Sequence, residues 1–434
     1  MHDTRWQHLL DELARDYFVA AFRPELPVAE RLRAAQACRV HMDRFAAGGV
    51  AAVRYLSDEA VGIDSQRRNS AARALCAVGD DASVRQFARL YLDTERQWLS
   101  PSHLVRAGRR VRLDPALKDV IAEASPRLQP AWVRALLAHE DPESRALLQR
   151  LVVGPDRVLA EVAVEAAAQW QRSEVLWGVL QRVDGTDDPP PGLVPAGLMA
   201  ALTLAARGQS RAIGWIEERT LDTNPQIGAL AHVYLAMLGW PSCLAELMFL
   251  LDESEGRALG YALEAAEVHA ASVLVAPLCN LVRRTATHSG SGLDDNPADH
   301  AIRVLEGITG RSVPAALCSY DRFGNLDEST RLRAALVHST AGSSLGAAGR
   351  FRRGQPIATQ NWVMDLVSPS ARKVRAASIQ LWARTGRDLG FDCRDDLIAN
   401  LDAVLAWRKF GEEVDVHTPV PFVYANQRLA SPVF

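Results

Sequence analysis

Lysine is the residue type that this sequence almost lacks. The 434 residues include 49 basic ones, of which only Lys118, Lys373 and Lys409 are lysines. None of the three is followed by Ser or Thr, so the phosphate-binding P-loop is excluded. The basic residues are balanced by 52 acidic ones, which leaves a net charge of −3. This balance argues against nucleic-acid binding through bulk charge.

Cysteines are few and stand apart from one another. The sequence contains no C-x-x-C pair, which excludes the clustered spacing of a zinc site or a disulfide framework. Most of the cysteines lie among Ala, Leu and Val, where a free thiol behaves as a small apolar side chain. We therefore expect a reduced, cytoplasmic protein with no metal or other cofactor. The six positions are Cys38, Cys76, Cys243, Cys279, Cys318 and Cys393.

Long apolar runs are also missing. The N-terminus has no apolar stretch behind a basic start, so no secretory signal is expected. The longest uncharged apolar run covers residues 193–206 and contains Pro195 and Gly197. It is too short to cross a bilayer, and we predict a buried helix there.

The pattern that is present is helical. Apolar residues recur at intervals of three and four, as in residues 28–56, where the pattern breaks at Gly48-Gly49. Alternating runs of β-branched and aromatic residues are almost absent before the last 20 residues. The sequence therefore predicts an all-α chain.

The predicted helices occur in pairs with a regular spacing. Breaks near positions 208, 239 and 270 are 31 residues apart, and earlier breaks lie at Gly79-Asp80 and near Gln171. Two helices in each unit of about 30 to 47 residues are typical of stacked helical repeats, because one helical hairpin cannot bury both its apolar faces.

Two segments carry a family resemblance. Residues 301–310 end in Ile-Thr-Gly, and residues 377–386 end in Arg-Thr-Gly before Asp388, Asn400 and Trp407. These units are similar to bacterial HEAT repeats. Residues 28–410 also resemble an uncharacterised Gram-negative HEAT-repeat family that is often encoded beside type VI secretion genes. The resemblance implies an α-solenoid of HEAT-like helical hairpins and a connection with secretion. Residues 321–354 depart from the pattern.

Composition suggests the domain boundaries. An acidic, proline-rich stretch at 184–192 predicts a linker between an N-terminal repeat array at 1–183 and a C-terminal array at 193–410. Residues 411–434 are predicted to form an extended tail.

Several motifs admit a catalytic interpretation that we do not favour. Residues 342–346 match G-x-S-x-G, but no strand–helix alternation surrounds them, so a flexible loop is expected. His288, Asp294, Asp295 and His300 could gather a metal, but Asn296-Pro297 is equally explained as a helix cap. His139-Glu140 begins like the zinc-binding motif H-E-x-x-H but lacks the second histidine. Asp141 and Pro142 instead predict a helix start.

Two basic runs suggest interactions. For the run Arg106, Arg109, Arg110 and Arg112, a solvated helix face is favoured over contact with phosphate or an acidic partner. Arg350, Arg352 and Arg353 with Trp362 have the composition of a protein interface.

In the tail, Phe422, Tyr424 and Phe434 are predicted to be buried on the last repeats or on a partner. The predicted partner-binding residues are Arg352, Arg353, Trp362, Phe422 and Tyr424.

An extended concave surface is what a solenoid offers. We therefore expect a non-enzymatic protein-interaction scaffold, adaptor or chaperone, without catalytic residues, whose partner is another protein such as a secretion effector or a toxin. One alternative is an immunity protein that blocks a toxin. An alternative of another class is a HEAT-repeat enzyme, or a binder of nucleic acid or a small molecule, because a fold does not fix an activity.

Overall fold

The computed structural model describes residues 4–23, 26–92, 99–240, 243–287, 296–320, 326–345, 349–357, 359–368, 371–413, 423–424 and 427–428. Within these residues the chain is all-α, apart from two pairs of two-residue strands. The helices are α1 Thr4–Phe22, α2 Val28–Ala47, α3 Gly49–Glu59, α4 Ser65–Val78, α5 Asp81–Arg89, α6 Pro101–Arg110, α7 Val120–Glu123, α8 Gln129–Leu136, α9 Pro142–Val152, α10 Arg157–Ala167, α11 Ser173–Asp184, α12 Leu193–Ala206, α13 Ser210–Arg219, α14 Pro225–Leu238, α15 Cys243–Glu253, α16 Gly256–His269, α17 Val275–Thr285, α18 Pro297–Thr309, α19 Glu328–Gly342, α20 Thr359–Asp365, α21 Ala371–Thr385 and α22 Leu401–Glu413; the strands are β1 Phe351–Arg352, β2 Gln355–Pro356, β3 Val423–Tyr424 and β4 Gln427–Arg428.

The chain divides into two compact units. Unit 1 comprises Met1–Ala200 and Gly390–Leu405, and unit 2 comprises Ala201–Leu389 and Ala406–Phe434. The predicted linker at 184–192 begins at the last residue of α11 and ends directly before α12. The division into two repeat arrays that are joined by this linker stays a prediction. The assignment of 390–405 to unit 1 was not predicted from the sequence.

Stacking in unit 1 follows the repeat pattern. Helices α2, α4, α6, α8 and α10 form one layer in which each helix packs on the next, and α3, α5 and α9 pack beside this layer. Such nearest-neighbour stacking is the solenoid arrangement, in which every hairpin buries its apolar faces against adjacent hairpins.

Unit 2 stacks in the same way over most of its length. Helices α14, α16 and α18 form one layer, and α15, α17 and α19 form the other. Helix α21 departs from strict sequence order because it packs back on α14, where Gln380 donates a hydrogen bond to the carbonyl of Met237.

The predicted helix breaks are confirmed. Gly79 ends α4 and Asp80 caps α5, and Gly208 and Gly239 take positive φ values of 87° and 71° at the breaks after α12 and α14. Left-handed residues at these points end the helices, as expected for C-terminal capping. Gln171 and Ala270 do the same without glycine, each at φ 55°.

The irregular segment predicted around 321–354 contains one long helix, α19, followed by the β1–β2 hairpin. Phe351 pairs with Pro356, and Arg352 pairs with Gln355, in an antiparallel register. Positive φ at both Arg353 and Gly354 makes the turn that such two-residue hairpins need.

The tail is described only at its short strands. Val423 pairs with Arg428, and β3 lies against α21 within unit 2. None of the described helices combines the length and the apolarity that crossing a membrane requires.

Candidate functional site

The predicted basic–aromatic cluster is internal to unit 2. Trp362 is fully buried at 0% exposure, and the guanidinium groups of Arg350 and Arg352 lie 5.4 and 5.3 Å from the centre of its ring. Arg350 donates to the carbonyl of His269, and Arg352 donates to that of Glu267. Both arginines therefore satisfy carbonyls at the C-terminal end of α16, which have no partner inside the helix.

This burial corrects the surface role given to Arg352 and Trp362. In the described conformation a partner could not reach the ring of Trp362, and Arg352 is also ion-paired with Asp365 at 3.3 Å. Arg353 keeps an exposed side chain at the hairpin turn, where its backbone N–H donates to the carbonyl of Gly307.

The predicted tail contacts are not described at side-chain level. Phe422 and Phe434 lie outside the described residues. Tyr424 is described only through its backbone, which pairs with Gln427. Partner binding by the tail stays a prediction.

Several described residues of the motifs that admit a catalytic interpretation have structural roles. Ser343 and Ser344 donate to the carbonyls of Thr340 and Ala341 at the end of α19. Asp141 caps α9 with Pro142 at its first turn, as predicted, and Asn296 caps α18. His288, Asp294 and Asp295 lie outside the described residues. Across the part of the chain that is described, no three His, Cys, Asp or Glu side chains gather to hold a metal.

A different site emerges on unit 1, which we term the arginine cleft. Arg39, Arg73 and Arg106 stand at equivalent positions of consecutive repeats, 34 and 33 residues apart, on α2, α4 and α6. These three helices pack in one layer, and the three side chains line the same opening. Arg109 and Arg110 follow Arg106 by three and four residues, which places them on neighbouring faces of α6.

An acidic segment of the same chain, residues 392–402, pairs with these arginines. Arg73 and Arg106 both donate to the carboxylate of Asp396. Arg109 pairs with Asp392 at 3.2 Å and with Asp395.

The far end of the acidic segment is held by α2. Arg39 donates to Asp402 at 2.5 Å and to the carbonyl of Ile398 at 3.3 Å. Three consecutive repeats thus hold one carboxylate-rich segment.

Asn400 folds the acidic segment into its loop. Its side-chain oxygen accepts from the backbone N–H of Asp392, and its nitrogen donates to the carbonyls of Asp392, Asp395 and Asp396. Asn400 is itself buried at 4% exposure. This loop presents the aspartate side chains together on the arginines.

His103 orients Arg106 inside the cleft. Burial and the nearby charge of Arg106 hold the pKa of His103 well below 6.5, so the imidazole is neutral. Its Nδ1 accepts from Arg106 at 3.1 Å, and its Nε2 therefore carries the proton and donates to Asn69 at 3.3 Å. A neutral histidine in this tautomer adds no further positive charge.

Burial and neighbouring charges shift the pKa values of two ionisable groups in the cleft. Burial and the charge of Arg106 lower the pKa of Arg73 to about 9. Burial raises the pKa of Asp392, but hydrogen bonds from Arg394 and the charges of Arg394 and Arg109 outweigh it, so the pKa ends below its ordinary value. The Asp392 carboxylate is therefore ionised, and it also tethers Arg394 beside the cleft.

The acidic segment does not fill the cleft. An opening of ≈ 350 Å³ remains beside it, which is within the size range of small-ligand sites. Arg110 lies at this opening with about half of its side chain exposed, and it reaches Asp81 only at 3.9 Å. The opening is lined by Arg39, Met42, Arg73, Cys76, Ala77, Arg106, Arg109, Arg110, Asp395, Ile398 and Ala399.

The sequence pattern around Arg106 and Arg109 favours a solvated helix face. The structure corrects that interpretation, because the two side chains are only 15% and 19% exposed and are paired with distant aspartates. The spacing of Arg39, Arg73 and Arg106 at the repeat interval was the signal that could have indicated this site.

A scan of protein-family models and a search of curated proteins found no match to this chain.

Proposed function

We propose that this chain is a non-enzymatic protein-interaction scaffold whose arginine cleft holds an acidic segment of a partner protein. The observation that carries the proposal is the pairing of Arg73 and Arg106 with Asp396. A surface that already binds carboxylates of its own chain has the charge and the geometry to bind those of another, since guanidinium groups match carboxylates in two-point contacts.

The mixed charge of the cleft favours a protein partner over nucleic acid. Aspartates stand between its arginines, and the whole chain carries a net charge of −3. Nucleic-acid grooves depend on continuous positive potential along a phosphate backbone. Alternating charges instead provide a register for one particular peptide.

The reactive side chains near the cleft are held in forms that suit binding better than catalysis. Burial raises the pKa of Cys76 to about 12, so its thiol stays protonated. Nucleophilic cysteines require the thiolate. His103 is neutral, and both of its ring nitrogens are engaged with Arg106 and Asn69.

The biological setting of the proposal rests on the family resemblance. HEAT-like units similar to those of a family often encoded beside type VI secretion genes support an adaptor or chaperone role for a secreted effector. The cytoplasm is the location that fits this role, together with the single, unclustered cysteines.

The test compares three tagged baits in affinity purification from the native host. The baits are the wild-type chain, Arg39→Gln/Arg110→Gln, and the control Arg54→Gln, which removes one exposed arginine on α3, outside the cleft. The proposal predicts one partner protein that the wild-type and Arg54→Gln baits retain and the cleft variant loses. Retention of the same partners by all three baits would contradict it.

A further inference from the structure

Several donors of the arginine cleft have no acceptor in the described part of the chain. The Nε groups of Arg73 and Arg106 are buried and make no hydrogen bond there. Buried donors without acceptors carry a free-energy cost. At the opening, the ion pair that Arg110 makes within the described ranges is a long contact with Asp81, and that carboxylate is shared with Arg85 at 3.8 Å.

The charges around the cleft do not cancel. Among the residues that the structure describes, the basic side chains exceed the carboxylates paired with them by two. The basic set is Arg39, Arg73, Arg85, Arg106, Arg109, Arg110 and Arg394, and the acidic set is Asp81, Asp392, Asp395, Asp396 and Asp402.

The state of Arg73 supports the same imbalance. Its side chain is 4% exposed, and burial and the adjacent Arg106 together lower its pKa to about 9. Burial is the larger of the two causes, so the charged guanidinium is held where little water reaches it and next to a like charge. An added anion would favour the charged form of the guanidinium.

From these observations we infer that the open part of the arginine cleft binds one phosphate-type dianion. This inference rests on the proposed function, which it deepens by naming a phosphorylated side chain of the partner, or free phosphate, as the group bound. A phosphate monoester carries about −1.5 to −2 charges near neutral pH and offers three acceptor oxygens. That charge matches the excess of two, whereas one carboxylate supplies half of it.

The bound phosphate group would lie on the side of the opening that α6 forms. Arg106, Arg109 and Arg110 come from one turn of α6, so three guanidinium groups can approach one tetrahedral anion. Among the three, Arg110 is the most exposed, with 48% of its side chain accessible. It is therefore the residue whose loss should weaken binding with the least effect on folding.

The experiment titrates four probes into the full-length chain by isothermal titration calorimetry. The probes are inorganic phosphate, a serine-containing peptide, the same peptide with phosphoserine, and a single-stranded DNA oligonucleotide. The variants are Arg110→Gln, Arg110→Lys and the matched control Arg54→Gln. Circular dichroism checks that each variant is folded.

Phosphate-containing probes should bind wild type and Arg54→Gln alike and should bind Arg110→Gln about tenfold more weakly, as loss of one charged hydrogen bond predicts. Arg110→Lys should fall between, because it keeps the charge without the planar fork. Tighter binding of the phosphopeptide than of free phosphate would identify the partner's side chain as the source, and equal binding would identify free phosphate.

The inference is overturned if phosphate and the phosphopeptide do not bind, or if Arg110→Gln binds them as well as Arg54→Gln does. It is also overturned if DNA binds more tightly than the phosphopeptide. A separate titration with an unphosphorylated oligoglutamate peptide tests the proposed function, because this peptide would still bind the cleft if the phosphate inference alone failed.

Discussion

Asp396 accepts hydrogen bonds from both terminal nitrogens of Arg73, a residue 323 positions earlier in the chain. Arg106 donates to the same carboxylate, and the carboxylate also caps the backbone at Ile398 and Ala399. One aspartate thereby fixes the acidic segment to two consecutive repeats of unit 1.

The first prediction concerns this carboxylate. Asp396→Asn removes the counter-charge of two largely buried arginines, and we expect it to lower the free energy of unfolding by about 3 kcal/mol. Asp402→Asn is the matched control, because Asp402 is 82% exposed and surface pairs contribute about 0 to 1 kcal/mol. Urea denaturation measures both, and equal midpoints for the two variants would contradict the role given to Asp396.

A second prediction concerns the close packing of α6 on α8. A Cβ at Gly108 would lie 2.5 Å from the backbone of Ala135, which cannot move aside without separating the helices. Gly108→Ala should therefore destabilise the chain by about 1 to 3 kcal/mol.

Gly178 of α11 provides the opposite case. A Cβ there meets no atom within 4 Å, so Gly178→Ala should stabilise the chain by up to about 1 kcal/mol through helix propensity. Thermal unfolding of both variants checks the pair. An unchanged Tm of Gly108→Ala would contradict the close approach of α6 and α8, and a lowered Tm of Gly178→Ala would contradict the open surroundings of Gly178.

A third prediction concerns pH. Burial lowers the pKa of His338 from 6.5 to about 4, and the side chain is fully buried. Thr309 donates its only hydroxyl proton to Leu305, so His338 must donate to Thr309 through Nδ1.

Between pH 6.5 and 4 the unfolded chain binds a proton at His338 that the folded chain does not. Stability is therefore complete above pH 6.5 and falls as the pH decreases, by about 2 kcal/mol at pH 5 for this one histidine. His338→Gln should reduce the loss of stability between pH 7 and pH 5 by this amount. An unchanged pH dependence in urea denaturation would refute the assignment.

A fourth prediction concerns the thiols. Burial raises the pKa of Cys38 to about 12 and that of Cys279 to about 11, and Cys76 and Cys243 are buried as well. Native protein at pH 8 should therefore react with a thiol reagent at no more than Cys318 and Cys393, which are partly exposed. All six should react in denaturant, and fast labelling of Cys76 in native protein would contradict the packing of the cleft.

Local features of the fold were predictable, because helix periodicity, glycine breaks and capping residues act over a few positions. Gly79-Asp80 and Gly239 therefore marked real helix ends. The pairing of Arg73 with Asp396 was not predictable, because no local pattern indicates which distant charge will neutralise a buried one. Trp362 and Arg352 show the same limit, since composition alone does not distinguish an exposed basic–aromatic surface from a cluster buried against the C-terminal end of another helix, here α16.

Charge reversal tests the electrostatic complementarity of the cleft most directly. Fluorescence anisotropy would measure the binding of labelled oligoglutamate and oligolysine peptides to wild type, to Arg39→Glu/Arg110→Glu and to Arg54→Glu. We predict that wild type and Arg54→Glu bind oligoglutamate, and that the cleft variant loses this peptide and gains affinity for oligolysine. Oligoglutamate binding that is the same in all three proteins would contradict the arginine cleft as the site of partner recognition.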